Sequence, residues 1–104
     1  MEVANNQEIS KEILRQLGGN RFIAMTGARN FISSKHALSF KVMRNSAGIT
    51  HIVVTLNALD LYDLEFLKIN VRQKIVKALR FDVYNEDLQR VFTDVTGLDT
   101  YLYV

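Results

Sequence analysis

The sequence has 104 residues, of which 48% are hydrophobic and 23% charged, and its formal net charge is +2. A chain of this length forms one hydrophobic core, and this composition differs from that of disordered chains, which are poor in apolar residues. There is no cysteine, which excludes disulfides, thiolate metal sites, cysteine nucleophiles and iron–sulfur clusters. We therefore expect one domain spanning residues 1–104, held together by packing alone.

The sequence also predicts where the protein resides and how its turns are made. No apolar run approaches the roughly 18 residues of a membrane span, and none near the start has the flanks of a signal peptide. We therefore expect a cytoplasmic protein that does not contact a membrane. Because proline is absent, the turns must come from Gly, Asn, Asp and Ser.

The first predicted element is an amphipathic helix from Glu8 to Leu17. Its apolar residues recur at the spacing of one helical stripe: Ile9, Ile13, Leu14 and Leu17. Asn5 is placed to cap the first turn, and Gly18 and Gly19 supply the left-handed residue that ends many helices.

From Asn20 onward the apolar residues alternate, which predicts strands. In chain order the predicted strands contain Phe22 and Ala24; Leu38, Phe40 and Val42; Ile49 to Leu56; Tyr62, Leu64 and Phe66; and Ile75, Leu79, Phe81 and Val83. The third is rich in β-branched residues, so we expect a central strand buried on both faces. The segment from Lys74 to Leu79 also fits a helical turn, which leaves the fifth strand with an alternative.

Polar segments connect these strands, and a second helix follows them. The predicted turns are Asn45 to Gly48, Asn57 to Asp60 and Asn70 to Gln73. Asn85 is placed to cap the last helix, Gly97 to end it, and its buried stripe is Leu88, Val91, Phe92 and Val95. This order predicts an α+β fold: an antiparallel sheet of four to five strands flanked by an N-terminal and a C-terminal helix packed on one face.

Three stretches carry a family resemblance: residues 16–31, 55–66 and 92–98, which open on Gln16, Thr55 and Phe92. They resemble a family of small uncharacterised proteins encoded by bacteriophages, prophages and mobile elements, and the likeness covers most of the chain. In that family a glycine often stands where this chain has Ala58. The resemblance implies action inside a bacterial host cell. It implies no catalytic residue or cofactor, because the family has no established activity.

No residue pattern predicts catalysis or a metal site. His36 and His51 are the only histidines, and neither has a second metal ligand at the spacing of a helical turn or a strand. His51 is interpreted as a strand residue with a satisfied ring nitrogen and His36 as a solvated turn residue. Asp63 and Glu65 share a strand face, which we interpret as a solvated face paired with lysines of a neighbouring strand. We therefore expect a protein that is not an enzyme and needs no metal or cofactor.

The charges are distributed unevenly. No acidic residue occurs between Glu12 and Asp60, and a second acid-free basic block runs from Lys68 to Arg80. A basic sheet surface with interleaved aromatic residues is typical of proteins that bind single-stranded nucleic acid, where cations follow phosphates and rings stack on bases. The candidate binding residues are Arg21, Arg29, Lys41, Arg44, Lys68, Lys74 and Lys77.

A second hypothesis also fits the charge segregation. The acidic residues crowd the C-terminal part of the chain, so basic and acidic surfaces of two molecules can meet. The protein would then self-associate or bind an acidic protein partner, as in phage assembly or inhibition of a host protein. The aromatic residues favour neither hypothesis, because a sheet also needs them for its core.

Overall fold

The computed structural model describes residues 6–100. In chain order the elements are helix α1 (Asn6–Leu17), helix α2 (Gly19–Thr26), strands β1 (Arg29–Ser34), β2 (Ala37–Lys41), β3 (His51–Leu56), β4 (Tyr62–Ile69) and β5 (Lys74–Val83), a 3-10 turn (Asn85–Asp87) and helix α3 (Leu88–Thr96). The fold is α+β, as predicted. Its five strands form one antiparallel sheet in the order β1-β2-β3-β4-β5, so each strand pairs with the next along the chain.

The hydrophobic core joins the sheet to all three helices of the described residues. Alternate residues of β2, β3 and β4 lie in register on one side of the sheet: Leu38, Phe40, Ile52, Val54, Leu64 and Phe66. They share one core cluster with buried helical residues: Ile9, Ile13, Leu17, Phe22, Leu88 and Phe92. The ring centroid of Phe22 lies 5.5 Å from that of Phe40 and 5.2 Å from that of Phe92, both edge to face. Phe22 therefore links two helices to the sheet.

Most of the predicted elements are confirmed. The helix predicted from Glu8 to Leu17 is α1, and the segment from Lys74 to Val83 is strand β5, not a helical turn. The three predicted turns are closed by backbone hydrogen bonds. The amide nitrogens of residues 48, 60 and 70 donate to the carbonyls of residues 45, 57 and 73, over 3.1, 3.0 and 3.0 Å.

The strand predicted around Phe22 and Ala24 is wrong, because this segment is helix α2. Phe22 and Thr26 are buried one helical turn apart, and the Thr26 hydroxyl donates to the Phe22 carbonyl over 2.7 Å. A short apolar run fits a strand and a buried helix equally well, so its periodicity could not decide. The first strand is β1, whose six residues are all exposed and show no alternation.

Two finer predictions also need correction. β3 is the central strand, but only Ile52 and Val54 are buried, while Val53 is half-buried, so its two faces are not equally covered. Asn85 makes no capping hydrogen bond: α3 begins after Asp87, without a side-chain cap. The predicted cap Asn5 lies outside the described residues. The end of α3 is confirmed, since Gly97 adopts φ 79° in the left-handed region.

Candidate functional site

A cleft of about 510 Å3 opens at the end of the sheet where the β2–β3 loop returns. Four basic residues line it: Arg29, Lys41, Arg44 and Lys68. They come from β1, β2, the β2–β3 loop and β4, and no Asp or Glu is among the lining residues. We call this feature the basic cleft. It places positive charge from four separate segments around one concave surface.

The register of the sheet positions the cations. Arg29 is directly opposite Lys41, and Lys41 is opposite His51 on the next strand. These three residues form a row across β1, β2 and β3, which we call the cationic row. Like charges opposite each other on neighbouring strands destabilise a sheet. An anion between them would relieve that repulsion.

The cations of the basic cleft have no carboxylate partner among residues 6–100. Ion pairs in this part of the chain join Arg15 to Glu12, and Arg90 to Asp87 and Asp94. The Arg29 guanidinium donates to the neutral Gly27 carbonyl over 3.2 Å. The positive charge is therefore not compensated locally, and a concave surface of one sign concentrates ions of the opposite sign.

The Asn45 side chain organises the loop that forms one wall of the basic cleft. Its Nδ2 donates to the carbonyls of Met43 and Ile49 over 3.0 and 2.8 Å, and its Oδ1 accepts from the Ile49 amide over 3.1 Å. These bonds close the loop on both sides of Asn45. They hold the backbone that carries Arg44 in one conformation.

His51 also lines the basic cleft. Its Nδ1 shares a hydrogen bond of 2.7 Å with the Thr50 hydroxyl, which also accepts from the Ile69 amide over 2.9 Å. Burial lowers the pKa of His51, and the positive charges of Lys41 and Arg29 lower it further. Protonating His51 would add a further cation to the row.

We expect His51 to titrate below its ordinary pKa of 6.5, and the Lys41→Gln variant to move its midpoint upward because one repelling charge is gone. The unfolded chain then binds the proton more readily than the native state. The contribution of neutral His51 to the free energy of unfolding is therefore complete above pH 6.5, and it is lost as the pH falls through the folded-state pKa of His51. An NMR titration of the His51 ring protons in both proteins measures the shift. An identical midpoint in the variant would contradict this electrostatic coupling.

The remaining candidate residues do not line the basic cleft. Lys74 is directly opposite Ile69, a lining residue, so it lies beside the cleft. Lys77 is an extra residue in β5 where the register with β4 shifts. Arg21, predicted on a strand, is exposed on helix α2. The structure thus brings four of the seven candidates together, places one next to them and leaves two elsewhere.

Asn45, Thr50 and His51 were not among the candidates. His51 was predicted to be a strand residue with a satisfied ring nitrogen, and the Thr50 contact agrees with that. The position of His51 in the basic cleft depends on the register of β2 and β3, and no motif in the sequence predicts it.

The carboxylates of β4 have partners other than those predicted. Asp63 accepts from Asn57 Nδ2 and from the Asp82 amide, both over 3.0 Å. Glu65 is opposite Val53 and Leu79, not lysines. The predicted pairing with neighbouring lysines is therefore wrong. Within residues 6–100, no three His, Asp or Glu side chains lie together as a metal ion requires.

The fold and the site define this chain as an α+β protein with a meander sheet and a basic cleft that no carboxylate lines. Comparison with models of known protein families, with curated proteins and with solved structures found no match. None of the helices in residues 6–100 is long and apolar enough to span a membrane.

Proposed function

We propose that this protein is a non-enzymatic binding module that holds the phosphate backbone of single-stranded nucleic acid in the basic cleft. One observation carries the proposal: Arg29, Lys41, Arg44 and Lys68 converge on a single cleft with no acidic lining residue. Lysine and arginine neutralise phosphates and release their counterions, which supplies most of non-specific affinity. Phosphate contacts carry no base information, so we expect weak sequence preference.

In this proposal α1 and α3 both cover the side of the sheet that carries Phe40, and the side with the cationic row is left to the ligand. The shared core cluster of helical and sheet residues supports this arrangement. So does Ile32, which is opposite Ser39 on the other side and is 62% exposed. We place the protein in the cytoplasm of a bacterial host, as an accessory protein of a phage or mobile element.

Removing single charges from the basic cleft should weaken binding in a salt-dependent way. We expect the logarithm of the association constant to fall with the logarithm of salt concentration, by about 0.7 per neutralised phosphate. Arg29→Gln, Lys41→Gln and Lys68→Gln should each reduce that slope by about 0.7. Fluorescence anisotropy with a labelled single-stranded oligonucleotide at several salt concentrations measures it.

Lys11→Gln is the matched control, because Lys11 is exposed on α1 and does not line the basic cleft. It should leave the slope unchanged. The proposal fails if the wild-type protein does not bind the oligonucleotide at low salt. It also fails if Lys11→Gln reduces the salt slope as much as the cleft variants do.

Docking to a protein, either another copy or a host or phage protein, is the second candidate. It is favoured by the apolar side chains exposed along the two edge strands: Phe31, Ile32, Ile75, Val76, Leu79 and Phe81. These two strands are the opposite edges of the sheet, and apolar side chains exposed along an edge strand mark an interaction site. Sedimentation velocity decides between the candidates, since a dimer without affinity for the oligonucleotide would support this one and contradict the first.

A further inference from the structure

Strand β5 exposes apolar side chains on the side of the sheet that carries the cationic row. Val76, Leu79 and Phe81 are 52%, 42% and 63% exposed. Val76 is opposite Leu67, which is opposite His51, so Val76 lies on the same side of the sheet as the cationic row, with the buried Leu67 between them. Leu79 is opposite Glu65. Phe81 follows Leu79 by two residues, so strand alternation puts it on the same side, next to the left-handed Asp82 at the register shift between Arg80 and Val83. We call these three residues the β5 stripe.

The cationic row and the β5 stripe together offer a charged surface and an apolar surface, which match the phosphates and the bases of a nucleic-acid strand. Positive charge surrounds the basic cleft, from Arg29 on β1 to Lys68 on β4 and Lys74 at the start of β5, and the apolar β5 stripe with its one aromatic ring runs away from it along β5. The exposed Glu65, opposite Leu79, repels phosphate from the stripe but not a neutral base. Neighbouring strands are about 4.8 Å apart, so Lys41 and Val76 are separated by about 14 Å across the sheet, and Phe81 lies roughly 13–16 Å further along β5. A strand of several nucleotides is therefore needed to reach from Lys41 to Phe81.

We propose that the β5 stripe is the base-contacting platform for the strand whose phosphates occupy the basic cleft, with Phe81 stacking on a base. This inference rests on the proposed function. It extends that function by dividing the ligand between two surfaces, a charged one for phosphates and an apolar one for bases. Stacking on an aromatic ring tolerates every base, which agrees with the weak sequence preference expected of the cleft.

The test separates the contribution of the Phe81 ring to binding affinity from the contributions of charge and of apolar area. Phe81→Ala should weaken oligonucleotide binding by about tenfold at every salt concentration while leaving the salt slope unchanged, because no phosphate contact is lost. Phe81→Tyr should retain wild-type affinity, and Phe81→Leu should not restore it, since leucine has no ring to stack. Leu59→Ala is the control, because Leu59 is 69% exposed in the turn before β4 and off the β5 stripe.

The outcomes distinguish this inference from the proposed function. If the wild-type protein binds with the expected salt slope and Phe81→Ala binds equally well, the base platform is wrong and the phosphate cleft stands. If the wild-type protein does not bind at low salt, both are wrong. If the wild-type protein is a dimer that Phe81→Ala dissociates without loss of oligonucleotide affinity, a second copy covers the β5 stripe and the inference is overturned.

Discussion

Replacing Phe22 with alanine should lower the free energy of unfolding by about 3–5 kcal/mol, the range found when a buried aromatic ring is deleted. Phe22 is 0% exposed and makes edge-to-face contacts with Phe40 and Phe92. Its removal leaves a cavity where α2 and α3 meet the sheet. Domains of this size have total stabilities of about 5–15 kcal/mol, so the variant should lose a large part of its stability.

Urea denaturation followed by circular dichroism measures this loss. Leu59→Ala serves as the control for an exposed apolar residue and should change the stability by less than about 0.5 kcal/mol. Phe22→Leu should fall between the two, because leucine fills part of the cavity. A loss below about 1 kcal/mol for Phe22→Ala would mean that the ring is not the centre of the core.

Substituting Gly27 with alanine should destabilise the protein by about 2–4 kcal/mol, for two reasons that add. Gly27 has φ +67°, and a Cβ atom built there would lie 2.9 Å from the Cβ of Met43. The two segments cannot simply separate, because the Met43 amide donates to the Thr26 carbonyl over 3.0 Å. Alanine would thus be strained in its backbone and compressed against Met43.

Gly48→Ala is the matched control for the backbone strain alone. Gly48 has φ +73°, but nothing lies within 4 Å of a Cβ added there. We expect a loss of about 1–2 kcal/mol from the left-handed conformation only. Thermal or urea unfolding of both variants gives the difference, which reports the close approach of Gly27 to Met43. Equal losses would contradict that contact.

The elements predicted correctly are those whose signals are local. The apolar stripe of α1, the alternation of β4 and the glycine that ends α3 depend on residues a few positions apart, and the structure contains all three elements. The meander also follows from the sequence, because short polar turns favour pairing between consecutive strands. The α+β class was therefore accessible from periodicity and turn chemistry.

Helix α2 and the edge strands were decided by tertiary contacts. The run around Phe22 is compatible with two periods, and the helical one is stabilised by packing on Phe40 and Phe92. Phe81 alternates as a core residue would, yet it is exposed, because β5 is an edge strand and no helix of the described residues buries its side chain. The local sequence does not determine which strand lies at an edge of the sheet.

By itself, the sequence determined the supply of cations: long acid-free stretches that contain Arg29, Lys41 and Lys68. Only the tertiary structure decided which of them meet. The register of β1, β2 and β3 brings Arg29, Lys41 and His51 into one row, while the helical turn of α2 takes Arg21 away from it. Strand register is set by packing and turn geometry over the whole sheet, and a shift of one residue moves every side chain to the other face.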